Sequence, residues 1–95
     1  MIPQKSFLQK KIDKGIELLE KKNFSKATEI FNYLKKNNQT KLVGLFFLGI
    51  IQIKKNNSSL AEEYFLQILE IKPNHEDAIL NLAFKYTVFY PAVIL

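Results

Sequence analysis

The side chains of this sequence that could perform chemistry are few. Its single histidine, His75, is followed by Glu76 and Asp77, and all three residue types are common metal ligands. Consecutive residues of a helix or turn point in different directions, so these three side chains are poorly placed to hold one ion. We interpret His75 as an ordinary turn residue and expect no metal site.

The other candidate groups for catalysis are also weak. Two pairs of acidic residues are close in sequence, namely Glu17 with Glu20 and Glu62 with Glu63. Both pairs fit the solvated face of a helix better than an acid/base pair. The segment from Gly44 to Gly49 lacks the Gly-Lys-Ser/Thr ending of a phosphate-binding loop. The absence of Cys excludes a thiol nucleophile and a cysteine-based zinc site. We therefore expect a protein that is not an enzyme and has no cofactor.

Length and composition indicate one small domain. The chain has 95 residues, of which 47% are apolar and 24% are charged, and this is too little for a multidomain enzyme. Its longest nearly uncharged stretch, residues 42–53, has twelve residues, whereas a membrane-spanning helix needs about 20. The residues after Met1 lack the apolar segment of a secretory signal. We expect a cytoplasmic protein without a membrane span.

Positive charge is concentrated in the N-terminal half. Residues 1–55 hold twelve Lys and four acidic residues, a net charge of +8, whereas residues 56–95 hold two Lys and five acidic residues, a net charge of −3. The use of Lys without Arg, beside frequent Asn, Ile and Phe, is typical of an AT-rich coding genome. The alternative is a surface for nucleic acid or another anionic partner, although Glu17 and Glu20 interrupt it. Its lysines would be Lys10, Lys11, Lys14, Lys21, Lys22 and Lys26.

The sequence is internally repetitive. Displacing residues 15–35 by 34 positions gives eight identities in 21 aligned pairs. They include Gly15 with Gly49, Ala27 with Ala61 and Phe31 with Phe65. A second displacement of the same size places Leu48 on Leu82 and Gly49 on Ala83. The repeat period of the chain is therefore 34 residues, and the chain contains about two and a half repeats.

Apolar residues follow helical spacing within each period. Three such stripes are Leu8, Ile12, Ile16 and Leu19; Ala27, Ile30, Phe31 and Leu34; and Ala61, Phe65, Ile68 and Leu69. We expect N-caps at Ser6, Ser59 and Asn74, each followed three positions later by a polar or acidic residue. Polar clusters separate the stripes. The sequence therefore predicts five helices, over residues 7–22, 25–37, 41–55, 59–71 and 75–89.

At these positions the chain resembles the tetratricopeptide repeat (TPR) family, which places Leu-Gly on the first helix of each repeat and Ala, Phe and Pro on and after the second. The middle copy carries this pattern as Leu45, Leu48-Gly49, Ala61, Phe65 and Pro73, with Gln52 in place of an aromatic residue. The first copy keeps Gly15, Ala27 and Phe31 but has Lys11, Lys14, Leu18 and Gln39 at other pattern positions. The third copy offers Ile79, Leu82-Ala83 and Tyr86.

The resemblance implies the architecture of the whole chain. We expect a single domain over residues 1–95, with a degenerate repeat at 8–41, a second repeat at 42–75, and a half repeat with an apolar tail at 76–95. The implied fold is all-α, a right-handed α-solenoid of antiparallel helix pairs. Small residues on these helices would let the two members of a pair approach closely.

By the same resemblance, partner proteins bind in a concave groove lined by the first helix of each repeat. The groove positions carried over to this chain are Ile12, Ile16, Val43, Phe46, Phe47, Ile50, Ile53, Leu80, Asn81 and Phe84. Family members that bind chaperone tails clamp a terminal carboxylate with Lys, Asn and Arg, and here only Asn81 is of that kind. The resemblance thus implies a protein-interaction module that binds an apolar peptide or amphipathic helix without a carboxylate clamp.

Two apolar regions leave alternatives open. Residues 42–53 are apolar almost all round their helix, so both sides need a cover. The other helix of its own repeat covers one side. The cover of the second side is the chain's own third helical segment and tail, a bound ligand, or a second copy of the chain. Residues 86–95 carry no charged side chain, although solenoids usually end in a polar face. We predict a homodimer through residues 79–95, with a self-association edge of Val88, Phe89, Tyr90, Val93, Ile94 and Leu95. A further alternative is that the chain is the repeat portion of a larger glycosyl- or sulfotransferase-like protein.

Overall fold

The computed structural model describes the backbone of residues 5–89 and the side chains of residues 5–83. Its five helices are α1 (Phe7–Glu20), α2 (Phe24–Lys35), α3 (Lys41–Lys54), α4 (Ser58–Ile71) and α5 (Glu76–Phe89). Each helix packs on the next one, and the described residues contain no strand. The predicted all-α fold of packed helix pairs is confirmed, and every predicted helix end lies within two residues of an observed one. The handedness of the superhelix stays a prediction. Within residues 5–89, every helix falls short of the length and apolar character that a bilayer crossing requires.

A left-handed residue ends the first helix of each complete pair. Lys22 and Asn56, which are one repeat period apart, have φ angles of 61° and 62°. The Lys22 N–H donates to the carbonyl oxygen of Leu19, and the N–H of the next residue reaches back to Leu18. These are the two hydrogen bonds of a Schellman motif, and the same two recur one period later. The period seen in the sequence is thus a period of backbone geometry.

An asparagine directly after each left-handed residue caps the second helix. Asn23 Oδ1 accepts the Lys26 N–H at 3.3 Å, and Asn57 Oδ1 accepts the Leu60 N–H at 3.3 Å. Each bond satisfies one of the N–H groups that the first helical turn leaves without a partner. The predicted N-cap at Ser59 is wrong, because the left-handed turn fixes the cap at Asn57 and places Ser59 inside α4.

Removal of the Asn57 cap tests this assignment. Asn57→Ala is expected to lower the free energy of unfolding by about 1 kcal/mol, the usual cost of losing an N-cap side chain. Ser59→Ala is the matched control, since Ser59 is exposed in the same first turn, and we expect a change below about 0.5 kcal/mol. Urea denaturation followed by circular dichroism measures both variants. Equal losses would contradict the assignment of the cap.

The two remaining predicted caps have different outcomes. The cap at Ser6 is confirmed, since its hydroxyl oxygen accepts the Gln9 N–H at 3.1 Å. The cap at Asn74 is wrong. A turn closed by the hydrogen bond from the His75 N–H to Lys72 delays the start of α5, and the Nδ1 of His75 accepts the Ala78 N–H at 3.2 Å.

Two clusters of buried side chains form the core. The N-terminal cluster consists of Leu18, Leu19, Ala27, Phe31, Leu34, Leu48 and Ile51. The C-terminal cluster consists of Leu45, Ala61, Phe65, Ile68 and Ala78. The predicted apolar stripes lie in these clusters or pack on them as half-buried side chains. Helix α3 contributes to both clusters, so it joins the two helix pairs.

Two glycines let the paired helices approach closely. A Cβ built on Gly15 would lie 2.6 Å from Cζ of Phe31, and one built on Gly49 would lie 2.7 Å from Cζ of Phe65. Any larger side chain would displace a ring that is itself buried. The predicted packing role of these small residues is confirmed at both positions.

Helix α3 meets the backbone of α2 at Gly44. A Cβ on Gly44 would lie 2.5 Å from the backbone nitrogen of Lys35 and 2.8 Å from its Cα. Just before α3, the buried hydroxyl of Thr40 donates to the carbonyl oxygen of Leu34 at 2.8 Å, which ties the two helices together. Ala78, one period after Gly44, is fully buried in the corresponding position on α5. Small residues therefore set the spacing between successive pairs as well as within them.

Candidate functional site

Seven of the predicted groove positions, together with Leu19 and Thr87, form three sets of equivalent positions on α1, α3 and α5. The sets, with members one repeat period apart, are Ile12, Phe46 and Leu80; Ile16, Ile50 and Phe84; and Leu19, Ile53 and Thr87. Within one helix the three members are separated by four and three positions, which places them on one face. We call this surface of the three helices the first-helix face. Eight of its nine residues are apolar.

Accessibility on the first-helix face is greatest on α3 and α5. Leu19 is 7% exposed, whereas its counterpart Ile53 is 42% exposed. Ile12 and Phe46 are both half-buried, whereas their counterpart Leu80 is 63% exposed. Among the described side chains, the accessible apolar surface of this face thus lies mainly on α3 and α5.

Phe46 and Phe47 are anchored in the core by aromatic contacts. The Phe47 ring stacks on Phe31 with centroids 4.8 Å apart. From the Phe46 ring, the centroids of Phe47, Phe65 and His75 lie at 5.3, 5.9 and 6.2 Å. Favourable aromatic pairs at such distances contribute about 0.5–1.5 kcal/mol each. Both phenylalanines remain half-buried, so part of each ring is held by the core and part stays accessible.

The other predicted groove positions are distributed unevenly. Ile16 and Val43 are half-buried, and Ile50 packs on both core clusters. Asn81 uses its amide locally, since its Nδ2 donates to the carbonyl oxygen of Asp77 at 2.7 Å. The side chain of Phe84 lies outside the described residues. The same holds for the predicted self-association edge of Val88, Phe89, Tyr90, Val93, Ile94 and Leu95.

Helix α3 is apolar on nearly all sides because it lies between two helices. It packs on α2 and on α4. Leu48 belongs to the N-terminal cluster and Leu45 to the C-terminal cluster, and both are fully buried. The second cover that the sequence left open is therefore supplied by α2 over most of the helix. The apolar residue of α3 that stays most accessible is Ile53, on the first-helix face, and the half-buried Leu42, Val43, Phe46, Phe47 and Ile50 keep part of their surface accessible.

Acidic partners offset three lysines in and beside α1. Glu17 pairs with Lys21 at 2.9 Å and with Lys14 at 3.6 Å. The hydrogen bond from Lys21 and the charge of Lys14 lower the pKa of Glu17, so its carboxylate is charged at neutral pH. Lys5 pairs with Asp13 at 2.6 Å. These pairs work against the anionic-partner alternative, which stays a prediction of the charge distribution alone.

Lys11 has an aromatic environment. Its Nζ lies 5.6 Å from the ring centroid of Phe7 and 5.3 Å from that of Tyr33. The two rings meet edge to face at 6.3 Å. A cation above aromatic rings is favourable, which explains how a lysine fits at this pattern position of the first repeat. It also means that Lys11 is engaged within the chain.

His75 has a structural role at the turn between α4 and α5. Its Nδ1 caps α5, and its ring lies beside Phe46. The neighbouring polar residues line a shallow open depression with it, namely Lys72, Asn74, Glu76 and Asp77. Among the described residues, no three His, Asp or Glu side chains are grouped so that they could hold a metal ion.

Two positions that matter for packing and binding escape prediction from the sequence. In the sequence, Gly44 is considered only as the start of a possible phosphate-binding loop. Ala78 lies 34 residues later at the equivalent repeat position, which indicates that both copies need a small residue there. Ile79 shares the repeat position of Leu45, yet Ile79 is 43% exposed and Leu45 is fully buried. Only the structure reveals that difference, because it depends on which helix lies opposite.

No protein-family model, curated protein or solved structure matches this chain.

Proposed function

We propose that this chain is a non-catalytic protein-interaction module that binds an apolar peptide or an amphipathic helix on its first-helix face. The observation that carries the proposal is that, among the described side chains, this face keeps accessible apolar surface on α3 and α5 after the helices have packed. Ile53 and Leu80 are 42% and 63% exposed, beside the half-buried Phe46 and Ile50. Grouped apolar side chains at a protein surface are typical of interaction sites.

The arrangement suits tight binding at low entropic cost. Phe46 and Ile50 are held by core contacts, so they lose little freedom when a ligand covers them. Ile53 and Leu80 are more exposed, and covering such a side chain fully contributes about 1.5–3 kcal/mol. Anchors that are held in well-packed surroundings, as Phe46 is, are typical of binding hot spots.

The side chain of Asn81, the residue after Leu80, favours an apolar ligand on this face over a charged one. Asn81 is the one residue of the carboxylate-clamp type, and its amide is hydrogen-bonded within α5. The resemblance to TPR proteins supports the same face as the binding surface. A second copy of the chain is one partner that this function allows, and light scattering at high protein concentration would detect it.

Selected peptides test the proposal. A displayed library of amphipathic peptides is selected on the full chain, and the best binder is synthesised and titrated against variants. Ile53→Lys is expected to weaken binding at least about tenfold, since it places a charge in an apolar contact. Leu66→Lys is the matched control, because Leu66 is 47% exposed but lies on α4. Equal affinity of the selected peptide for both variants would refute the proposed face.

A further inference from the structure

We propose that the side of α5 that carries Ile79 is a second docking site, which accepts a helix of another protein with an Ala-x-x-x-Phe pattern. This site differs from the first-helix face. Ile79 and Leu80 are consecutive on α5, so their side chains point about 100° apart around the helix axis. Leu80 belongs to the first-helix face, and Ile79 belongs to the side that we now consider.

The two sides of α3 show which side of α5 is open. Leu48 on α3 belongs to the N-terminal cluster, to which α1 and α2 contribute, and Leu45 belongs to the C-terminal cluster, most of which α4 contributes. On α5, the counterpart of Leu48 is Leu82, which packs on the C-terminal cluster as expected. The counterpart of Leu45 is Ile79, which is 43% exposed where Leu45 is fully buried. In the described part of the chain, α5 therefore has its α4 contact but no helix in the place that α4 takes beside α3.

The two complete pairs define the helix that fits this place. In each, the second helix presents a buried Ala, a buried Phe four residues later, and a buried aliphatic residue three residues after that. These residues are Ala27, Phe31 and Leu34 in α2, and Ala61, Phe65 and Ile68 in α4. The Phe reaches a small residue of the first helix in both pairs. A helix that repeats this pattern would cover Ile79 as α4 covers Leu45. Ala83 occupies the position on α5 that Gly49 occupies on α3. Because Ala is larger than Gly, the partner helix would lie slightly farther from α5 than α4 lies from α3.

Charge adds a second requirement for the partner helix. In each complete pair the second helix follows the first after a short turn and is antiparallel to it. A partner helix in the same arrangement would be antiparallel to α5, and its C-terminus would lie near the N-terminus of α5. Glu76 and Asp77 lie there and are exposed. Basic residues in the last turn of the partner helix would therefore be favoured, both by these carboxylates and by the dipole of that helix. The partner is thus an amphipathic helix with Ala-x-x-x-Phe on its apolar face and a basic C-terminal turn.

A peptide with the sequence of residues 57–72 is the probe, because it carries the pattern of α4 and ends in a lysine. Its fluorescently labelled form is titrated with the full chain, and we expect saturable binding in fluorescence anisotropy. Ile79→Lys in the protein should weaken binding at least about tenfold. Leu80→Lys is the matched control, since it adds the same charge at the adjacent residue on the other site. Replacing Phe65 by Ala in the peptide should also weaken binding.

Three results would overturn the proposal. One is the absence of saturable binding to a chain that is folded by circular dichroism. Another is equal binding to the Ile79→Lys variant, which would mean that the peptide displaces α4 or occupies the first-helix face. The third is a homodimer that Ile79→Lys dissociates while the peptide does not bind, because the occupant would then be a second copy. The first-helix face has its own test, which uses Ile53 and a different peptide, so the failure of one proposal can be told from the failure of the other.

Discussion

Gly44→Leu is expected to abolish the cooperative thermal unfolding of the chain. Even a Cβ at this position would lie 2.5 Å from the backbone nitrogen of Lys35 and 2.7 Å from the carbonyl oxygen of Phe31. Backbone atoms inside a helix cannot move aside singly, so α2 and α3 must separate as units. Overpacking costs about 1–3 kcal/mol where side chains can adjust, and here the separation also opens the N-terminal cluster. A domain of this size has about 5–15 kcal/mol of stability in total.

Two further variants give this prediction a scale and a control. Gly44→Ala is expected to lower the free energy of unfolding by about 2 kcal/mol, although Ala is favoured over Gly in a helix by about 1 kcal/mol. Lys10 occupies the equivalent position on α1 and is exposed, so Lys10→Leu should change stability by less than about 0.5 kcal/mol. If Gly44→Ala instead raises the melting temperature in circular dichroism, the close approach of α2 and α3 is wrong.

The helices could be predicted from the sequence because two independent patterns agree on them. The apolar spacing indicates where each helix lies, and the repeat period supplies a second copy of each boundary. The turn after α1 illustrates this: Lys22 and Asn23 on one side, and Asn56 and Asn57 on the other, form the same left-handed turn and cap. Local preference and repeat thus lead to the same end points.

The caps of α4 and α5 could not be predicted from local motifs alone. Residues 56–59 are all capable of capping, and the left-handed conformation of Asn56 decides among them by fixing the cap at the next residue. At α5 the cap is His75, whose imidazole is held beside Phe46. Such a choice depends on a tertiary contact, which a motif of nearby polar residues does not contain.

The candidate site could be predicted in outline but not in its distribution of exposure. Ile12, Phe46 and Leu80 occupy the same position in the repeat, and the sequence does not indicate which of the three is most exposed. Their exposure differs because Ile12 and Phe46 pack on the core clusters, whereas Leu80 is 63% exposed. Apolar residues serve both core and binding surface, so composition cannot separate these roles.

Ala61→Asp is expected to lower the free energy of unfolding at neutral pH by about 3–5 kcal/mol. Ala61 is 3% exposed and belongs to a cluster whose other buried members are all apolar. A carboxylate there would lose its hydration without gaining a cationic partner, and an unpaired buried charge costs about 3–5 kcal/mol. Ser59→Asp is the positional control. It adds the same charge in the exposed first turn of the same helix, where a negative charge is favourable. Melting of both variants by circular dichroism measures the difference.

The pH dependence of this variant separates the burial of charge from the burial of bulk. Burial raises the pKa of a carboxyl group, so an aspartate at position 61 would become neutral in mild acid and its penalty would shrink as the pH falls. Ala61→Asn has nearly the same shape and does not titrate. The stability difference between the two variants should therefore be largest at neutral pH and decrease toward about pH 4.

The chain's own carboxylates, Asp13 and Glu17, change stability with pH in the opposite direction, and their contribution has to be removed by comparing the two variants. Hydrogen bonds from Lys5 and Gln9 lower the pKa of Asp13, and Lys21 and Lys14 lower that of Glu17. Their contribution to stability is present above their unfolded pKa values and is lost as the pH falls through the folded ones. Both variants share this loss, so it cancels in their difference. A difference that stays constant with pH would show that position 61 is open to water, and the packing of α4 on α3 would then have to be revised.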